Sequence, residues 1–167
     1  MKKIFFILVF MVSVVFANEW EIAKVKYVSD GDTLWLQKGN EKPFKVRLVG
    51  IDTFETKVNH RVFMQLETLK KLHYKSKNTV KKVLYFGFKA KDYVTKRYLH
   101  KTVKYHSYGK DKYGRELVWI DTLNFSLVRQ GLAVYYPNNL IDKGRKAYLL
   151  ELSKDANLHK RGIYARY

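Results

Sequence analysis

DGDTLWLQKGNEKPFKVRLVGIDTFE, residues Asp30 to Glu55, reads as two short strands around a turn. Thr33 to Gln37 and Phe44 to Val49 flank Gly39, Asn40 and Pro43, and pairing them antiparallel folds Asp52 back beside Asp30 and Asp32. With Glu55, four carboxylates and Arg47 then gather at the base of one hairpin. Carboxylates brought that close repel one another, so the expectation is a cation between them. Calcium is the first candidate, because it takes oxygen ligands at roughly 2.3 to 2.6 Å and the stretch offers no thiolate or imidazole for zinc. Arg47 lies five residues before Asp52, which a regular strand would point to opposite faces; a break at Gly50 brings both to one site.

Upstream, Trp20 to Val28 alternates loosely and ends at Asp30-Gly31, giving a third strand and an opening meander. Before it stand Lys2 and Lys3, an apolar run from Ile4 to Phe16, and Val15-Phe16-Ala17. This pattern is expected to be a secretory signal peptide over residues 1–17, cleaved to start the mature chain at Asn18. The run is shorter than the about 20 apolar residues of a membrane span. Residues 18–167 then form a single domain, with no cysteine and hence no disulfide. The formal charge of +18 becomes +16 without Lys2 and Lys3, and with thirteen tyrosines and ten phenylalanines this suits a polyanionic partner. Charge alone fits an anionic cell envelope as well.

Downstream, residues 57–86 lack proline and glycine and hold eight Lys or Arg (Lys57, Arg61, Lys70, Lys71, Lys75, Lys77, Lys81 and Lys82) against Glu67. They read as a basic, helical insert, with an exposed helix around 61–74 whose Val62, Leu66 and Leu69 fall at helical spacing, then a loop or short turn. His60 and His73 show no metal-ligand pattern. A second helix is expected over Lys89 to Leu99, and strands over Thr102 to His106 and Leu117 to Asp121 around a polar hairpin. A short helix follows at Asn124 to Gln130, stopped by Gly131, then a Pro137-Asn138-Asn139 loop and a last helix from Asp142 or Lys143 to Leu158. Five strands with helices after the third and fifth predict an α+β, mainly β, fold: a small OB-type barrel with about three packed helices.

DGDT, then VRLVGIDTFET, then DKYGR followed by LVRQGLA occur in that order between about Val25 and Tyr164. In this ordered set the chain resembles the thermonuclease family typified by staphylococcal nuclease. The resemblance implies a calcium-dependent (Ca2+) phosphodiesterase on an OB-fold, cutting DNA and RNA with little sequence preference and leaving 3′-phosphate ends. It implies that Asp32 and Asp52 bind calcium by carboxylate and Thr53 by its carbonyl, that Glu55 acts on a water, and that Arg47 and Arg115 hold the transition state. Lys112 and Tyr113 match positions that contact a neighbouring phosphate, while Tyr135 and Tyr136 are candidates for base stacking or for core. The family usually carries proline where Phe54 stands, and its segment between Glu55 and the Lys89 helix is shorter by roughly twenty residues. The competing class is a non-catalytic OB-fold nucleic-acid-binding protein. An exported monomer, periplasmic or extracellular and not inserted in a membrane, completes the expectation.

Overall fold

The computed structural model describes residues 20–72 and 79–165, so the signal peptide expected over 1–17, Asn18, and the stretch around His73, Lys75 and Lys77 lie outside the described residues. Strand β1 (Glu21–Asp30) turns Ala23 and Val25 inward and pairs antiparallel with β2 (Thr33–Gln37), whose Leu34 and Leu36 are fully buried. β3 (Phe44–Leu48) follows antiparallel, with Val46 and Leu48 inward, so period-two alternation supplies one apolar face. β4 (Ile51–Thr53) is a separate short strand. Gly50, between the two, has φ +74, the left-handed conformation that glycine adopts without a steric penalty.

Helix α1 (His60–Leu72) and helix α2 (Val80–Tyr98) come next, then β5 (Thr102–Lys110), β6 (Glu116–Ile120), α3 (Leu123–Arg129), β7 (Ala133–Tyr135) and α4 (Lys143–Leu158). The barrel closes in the order β1-β2-β3-β6-β5, with β3 and β6 parallel and the other pairs antiparallel. This is the expected α+β OB-type barrel. Buried Asn124 ties its seam, donating to the Val49 carbonyl at 2.9 Å and accepting from the Ile120 N–H at 3.0 Å. β4 and β7 form a two-stranded sheet beside the barrel, which the sequence pattern did not announce.

The helix expected from Lys89 begins at Val80, where Thr79 caps it by accepting from the Lys82 N–H. Val83, Phe86, Ala90 and Val94 make its buried stripe. Gly87 sits mid-helix without breaking it because the site loop presses on that position: a β-carbon there would stand 2.2 Å from the Glu55 carbonyl oxygen. α1 is basic outside but not wholly exposed. Val62, Gln65 and Leu69 are buried, and Val62 and Leu69 join Phe54, Val83, Phe86 and Ile163 in a second core outside the barrel. Each such aliphatic contributes about 1.5–3 kcal/mol on burial, so the insert is an anchored part of the fold. Among the described residues no helix is long and apolar enough to cross a membrane.

Candidate active site

Asp32 follows the Asp30-Gly31 turn at the mouth of β2 and is 1% exposed. Its Oδ2 accepts the Thr53 N–H and hydroxyl, both at 2.7 Å, and its Oδ1 accepts the Thr33 hydroxyl at 3.1 Å and pairs with Arg47. Beyond Gly50 the chain reverses, and Arg47 Nη2 donates to Asp52 Oδ1 at 2.5 Å. One guanidinium therefore bridges two carboxylates. Burial alone would lower the Arg47 pKa, but Asp32 and Asp52 more than offset it and leave it raised, so Arg47 stays a cation and cannot serve as a base.

Helix α1 completes this wall. Arg61 donates by Nη2 to Asp52 Oδ1 and by Nε to Glu55 Oε1 at 2.8 Å, while Asn59 donates to Glu55 Oε2 at 2.8 Å. Asn59 Oδ1 also caps α1 by accepting the Val62 N–H at 3.2 Å. Gln65 donates to Asp52 Oδ2 at 3.2 Å and to the Thr53 carbonyl at 2.9 Å, and accepts from the Glu55 N–H at 2.8 Å. Phe54, where proline is usual in the family resembled, buries its ring against Phe86 with centroids 6.1 Å apart. Asp30 accepts the Thr56 hydroxyl.

The opposite wall is the tip of the β5–β6 hairpin. Asp111 Oδ1 accepts the N–H groups of Tyr113 and Arg115 at 2.9 and 3.0 Å, which winds the tip into an Asx-type turn. Its Oδ2 receives Arg115 Nε at 2.8 Å and Nη2 at 2.7 Å, a two-point clasp that aims the guanidinium. Partial burial would raise the Asp111 pKa, but the Arg115 side chain and the two backbone donors hold it below the ordinary 3.8. Because β6 runs parallel to β3 with Leu117 beside Arg47, Arg115 opens on the side of Arg47.

Between the walls lies a cleft of about 420 Å³ bordered by Asp32, Arg47, Glu55, Arg61, Tyr113 and Arg115. A recess of about 180 Å³ adjoins it, sharing Arg47, Arg61 and Arg115 and reaching Asp52, Tyr136 and Asn138. Tyr113 is 72% exposed, with Arg115 5.5 Å and Lys112 5.1 Å from its ring centroid. Tyr136, 58% exposed, borders the recess, whereas Tyr135 pairs with Ile51, packs on the barrel core and lines neither space. Lys112 contacts the Tyr113 ring and does not line the cleft.

The expected four-carboxylate cluster is looser than the hairpin argument suggested. Among the described residues no group of three or more His, Cys, Asp or Glu gathers as a metal-binding set. The physical reason is that arginines relieve the repulsion: Asp32 and Asp52 share Arg47, Glu55 turns to Arg61 and Asn59, and Asp30 turns to Thr56. The donor chemistry still fits a hard cation. Two carboxylates and the Thr53 carbonyl, whose oxygen keeps a lone pair beyond the one taken by Gln65, are all oxygen donors.

Arg61, Asn59 and Gln65 were not singled out by the sequence reading, which counted Arg61 for charge alone. The available signal was Gln65 itself, a polar amide on the buried stripe between Val62 and Leu69, which must find partners there. The family model described as staphylococcal nuclease homologue matches residues 45–166, more than half of the chain. That span takes in Arg47, Asp52, Glu55 and Arg115, while Asp32 precedes it. A search of curated proteins found no match.

Proposed function

The chain belongs to the staphylococcal nuclease homologue family, and on that premise we propose that it is an exported, calcium-dependent nuclease that hydrolyses phosphodiester bonds of DNA and RNA with little sequence preference, leaving 3′-phosphate ends. The observation that carries this reading is the convergence of Arg47 and Arg115, aimed by carboxylates on opposite walls, into one cleft with Glu55 on its border. Each guanidinium presents a planar fork matched to phosphate oxygens.

Hydrolysis forms a bond from a water oxygen to phosphorus and breaks the bond from phosphorus to the 5′ oxygen. Glu55 takes the proton of the attacking water; its two oxygens already accept from Arg61 and Asn59, and each retains a lone pair for that proton. Arg47 neutralises charge building on the equatorial oxygens. Arg115, always charged, stabilises the departing 5′ oxygen, which takes its proton from solvent. Asp32, Asp52 and the Thr53 carbonyl would hold calcium, which when bound supplies Lewis-acid charge at the phosphate and acidifies its water. Tyr113 and Tyr136 offer rings for bases at the cleft and its recess.

Incubating the purified protein with plasmid DNA and with RNA, in calcium and then with chelator, tests the reading. Cleavage that needs calcium and yields 3′-phosphate ends supports it. Tight binding without cleavage would replace it by the non-catalytic OB-fold nucleic-acid-binding protein, a reading disfavoured because both arginines and all the acids named are present. Export, which rests on the pattern of residues 1–17, is tested by cell fractionation, and a monomeric state by light scattering.

A further inference from the structure

We propose that Gln65, on the helix inserted after the site, is a positioning residue: its carboxamide sets the spacing of Asp52, Thr53 and Glu55 and so makes the insert part of the working site. The inference rests on the nuclease reading above.

Three observations carry it. First, among the described residues, the polar bonds of the Gln65 side chain all go to the site segment and none to its own helix. Nε2 spends both N–H groups, on Asp52 Oδ2 and the Thr53 carbonyl, and Oε1 takes the Glu55 N–H. Reversing the amide would set oxygen against two oxygens and N–H against N–H, so the three partners together select one orientation. Second, Gln65 is 4% exposed, in a place where water does not readily substitute for a lost partner. Third, Glu55 lies beyond the β4–β7 ladder, which ends at Thr53 opposite Ala133, so its backbone is not held by a sheet. Gln65 spans that gap from a helix anchored by Val62 and Leu69 on either side. Arg61, one turn earlier on α1, fixes the Glu55 carboxylate, while Gln65 fixes its backbone. The base candidate is thereby held at both ends by one element.

The test uses Gln65→Met, which keeps length and removes all three bonds, with Leu127→Ala, fully buried in the barrel core, as the control that destabilises the fold away from the Gln65 helix. Four quantities are read: melting temperature, kcat and KM on an oligonucleotide, calcium affinity by calorimetry, and hydrogen exchange of the Glu55 amide by NMR. Gln65→Met is expected to lower kcat and calcium affinity by about 10- to 100-fold, the scale of a lost outer-shell partner, with KM for DNA within about threefold. The Glu55 amide is expected to be protected in the wild type, where Gln65 accepts it, and to exchange rapidly in this variant. Leu127→Ala should lower the melting temperature at least as far and leave kcat per folded molecule within about twofold, because Leu127 belongs to the barrel core and lines neither the cleft nor its recess. A Gln65→Met protein with wild-type kcat, or with unchanged Glu55 exchange, overturns the assignment. Wild-type protein that binds calcium and DNA but cleaves nothing would instead overturn the functional reading, and the exchange measurement would still report whether Gln65 holds the loop.

Discussion

Gly87→Ala sets two effects of opposite sign against each other. In an open helix position the change stabilises by about 1 kcal/mol, because alanine is the better helix former. On α2 the added carbon would stand 2.2 Å from the Glu55 carbonyl oxygen, 2.6 Å from its carbon and 2.7 Å from the Phe54 carbonyl oxygen, where ordinary contact starts at 3.4 Å. The obstacle is backbone on both sides, so no side-chain rotation relieves it. Loop and helix must separate by about 1 Å, and overpacking of this kind costs about 1–3 kcal/mol. The helix gain is thus cancelled or exceeded, and the melting temperature falls by about 2–4 °C for each net kcal/mol. The effect on rate is larger. Moving the base candidate by about 1 Å costs about 10²-fold in the chemical step. DNA affinity should change little, since Arg47, Arg115 and Tyr113 stand on other elements. Single-turnover cleavage of a labelled oligonucleotide in calcium, together with thermal melting, reads both quantities. A variant that melts higher and cleaves at the wild-type rate would refute the reasoning, because it would show that α2 does not press on the Glu55 loop.

Arg115→Lys keeps the charge and loses the fork that Asp111 clasps; the maximal rate should fall by at least about 10²-fold while DNA affinity moves only a few fold, and a near wild-type single-turnover rate would remove Arg115 from the chemistry. Lys71→Gln and Lys81→Gln, on the basic exterior of the insert, should each lower the log-log salt slope of DNA binding by about 0.7 to 0.9 if that lysine meets a phosphate, and an unchanged slope would mark it as merely solvated. Asp111 has a folded-state pKa held below the ordinary 3.8, so its clasp on Arg115 is whole above that value and lost as pH falls through the lower, folded-state pKa. An NMR titration of the Asp111 carboxyl should therefore show a midpoint below 3.8, and a midpoint above it would deny the clasp in solution.

The barrel was legible because its strands carry period-two apolar alternation, and because turn residues at Asp30-Gly31 and Gly39-Asn40 separate them. The meeting of Arg47 with Asp52 was legible for a similar reason: five residues with a glycine between them need a reversal to share a face, and Gly50 provides it. What stayed hidden depended on partners distant in sequence. β4 and β7 have three residues each, too few for a period, and exist because they pair with each other. The early start of α2 was masked by Gly87, whose lack of a side chain answers to packing on Glu55 and not to chain termination. Arg61 was weighed as one of eight positive charges, a count that carries no direction, so its aim at Asp52 and Glu55 could not be read.

The parallel seam between β3 and β6 has a kinetic meaning. Val46 lies beside Glu116 there, and the two walls of the cleft meet only when that seam forms. Contacts so far apart along a chain are slow to form, because the entropy of closing the intervening loop is lost before any contact rewards it. The meander carrying Asp32 and Arg47 is local and can form early, whereas Asp52 sits on β4, which pairs with distant β7, and Arg115 is placed by the seam. A refolding chain would then regain Asp32 and Arg47 before the rest of the cleft, and on the proposed nuclease reading competence would return with barrel closure instead of with the first strands. Fragments that stop short of Arg115 hold the acids of the site without the guanidinium that faces them from the opposite wall.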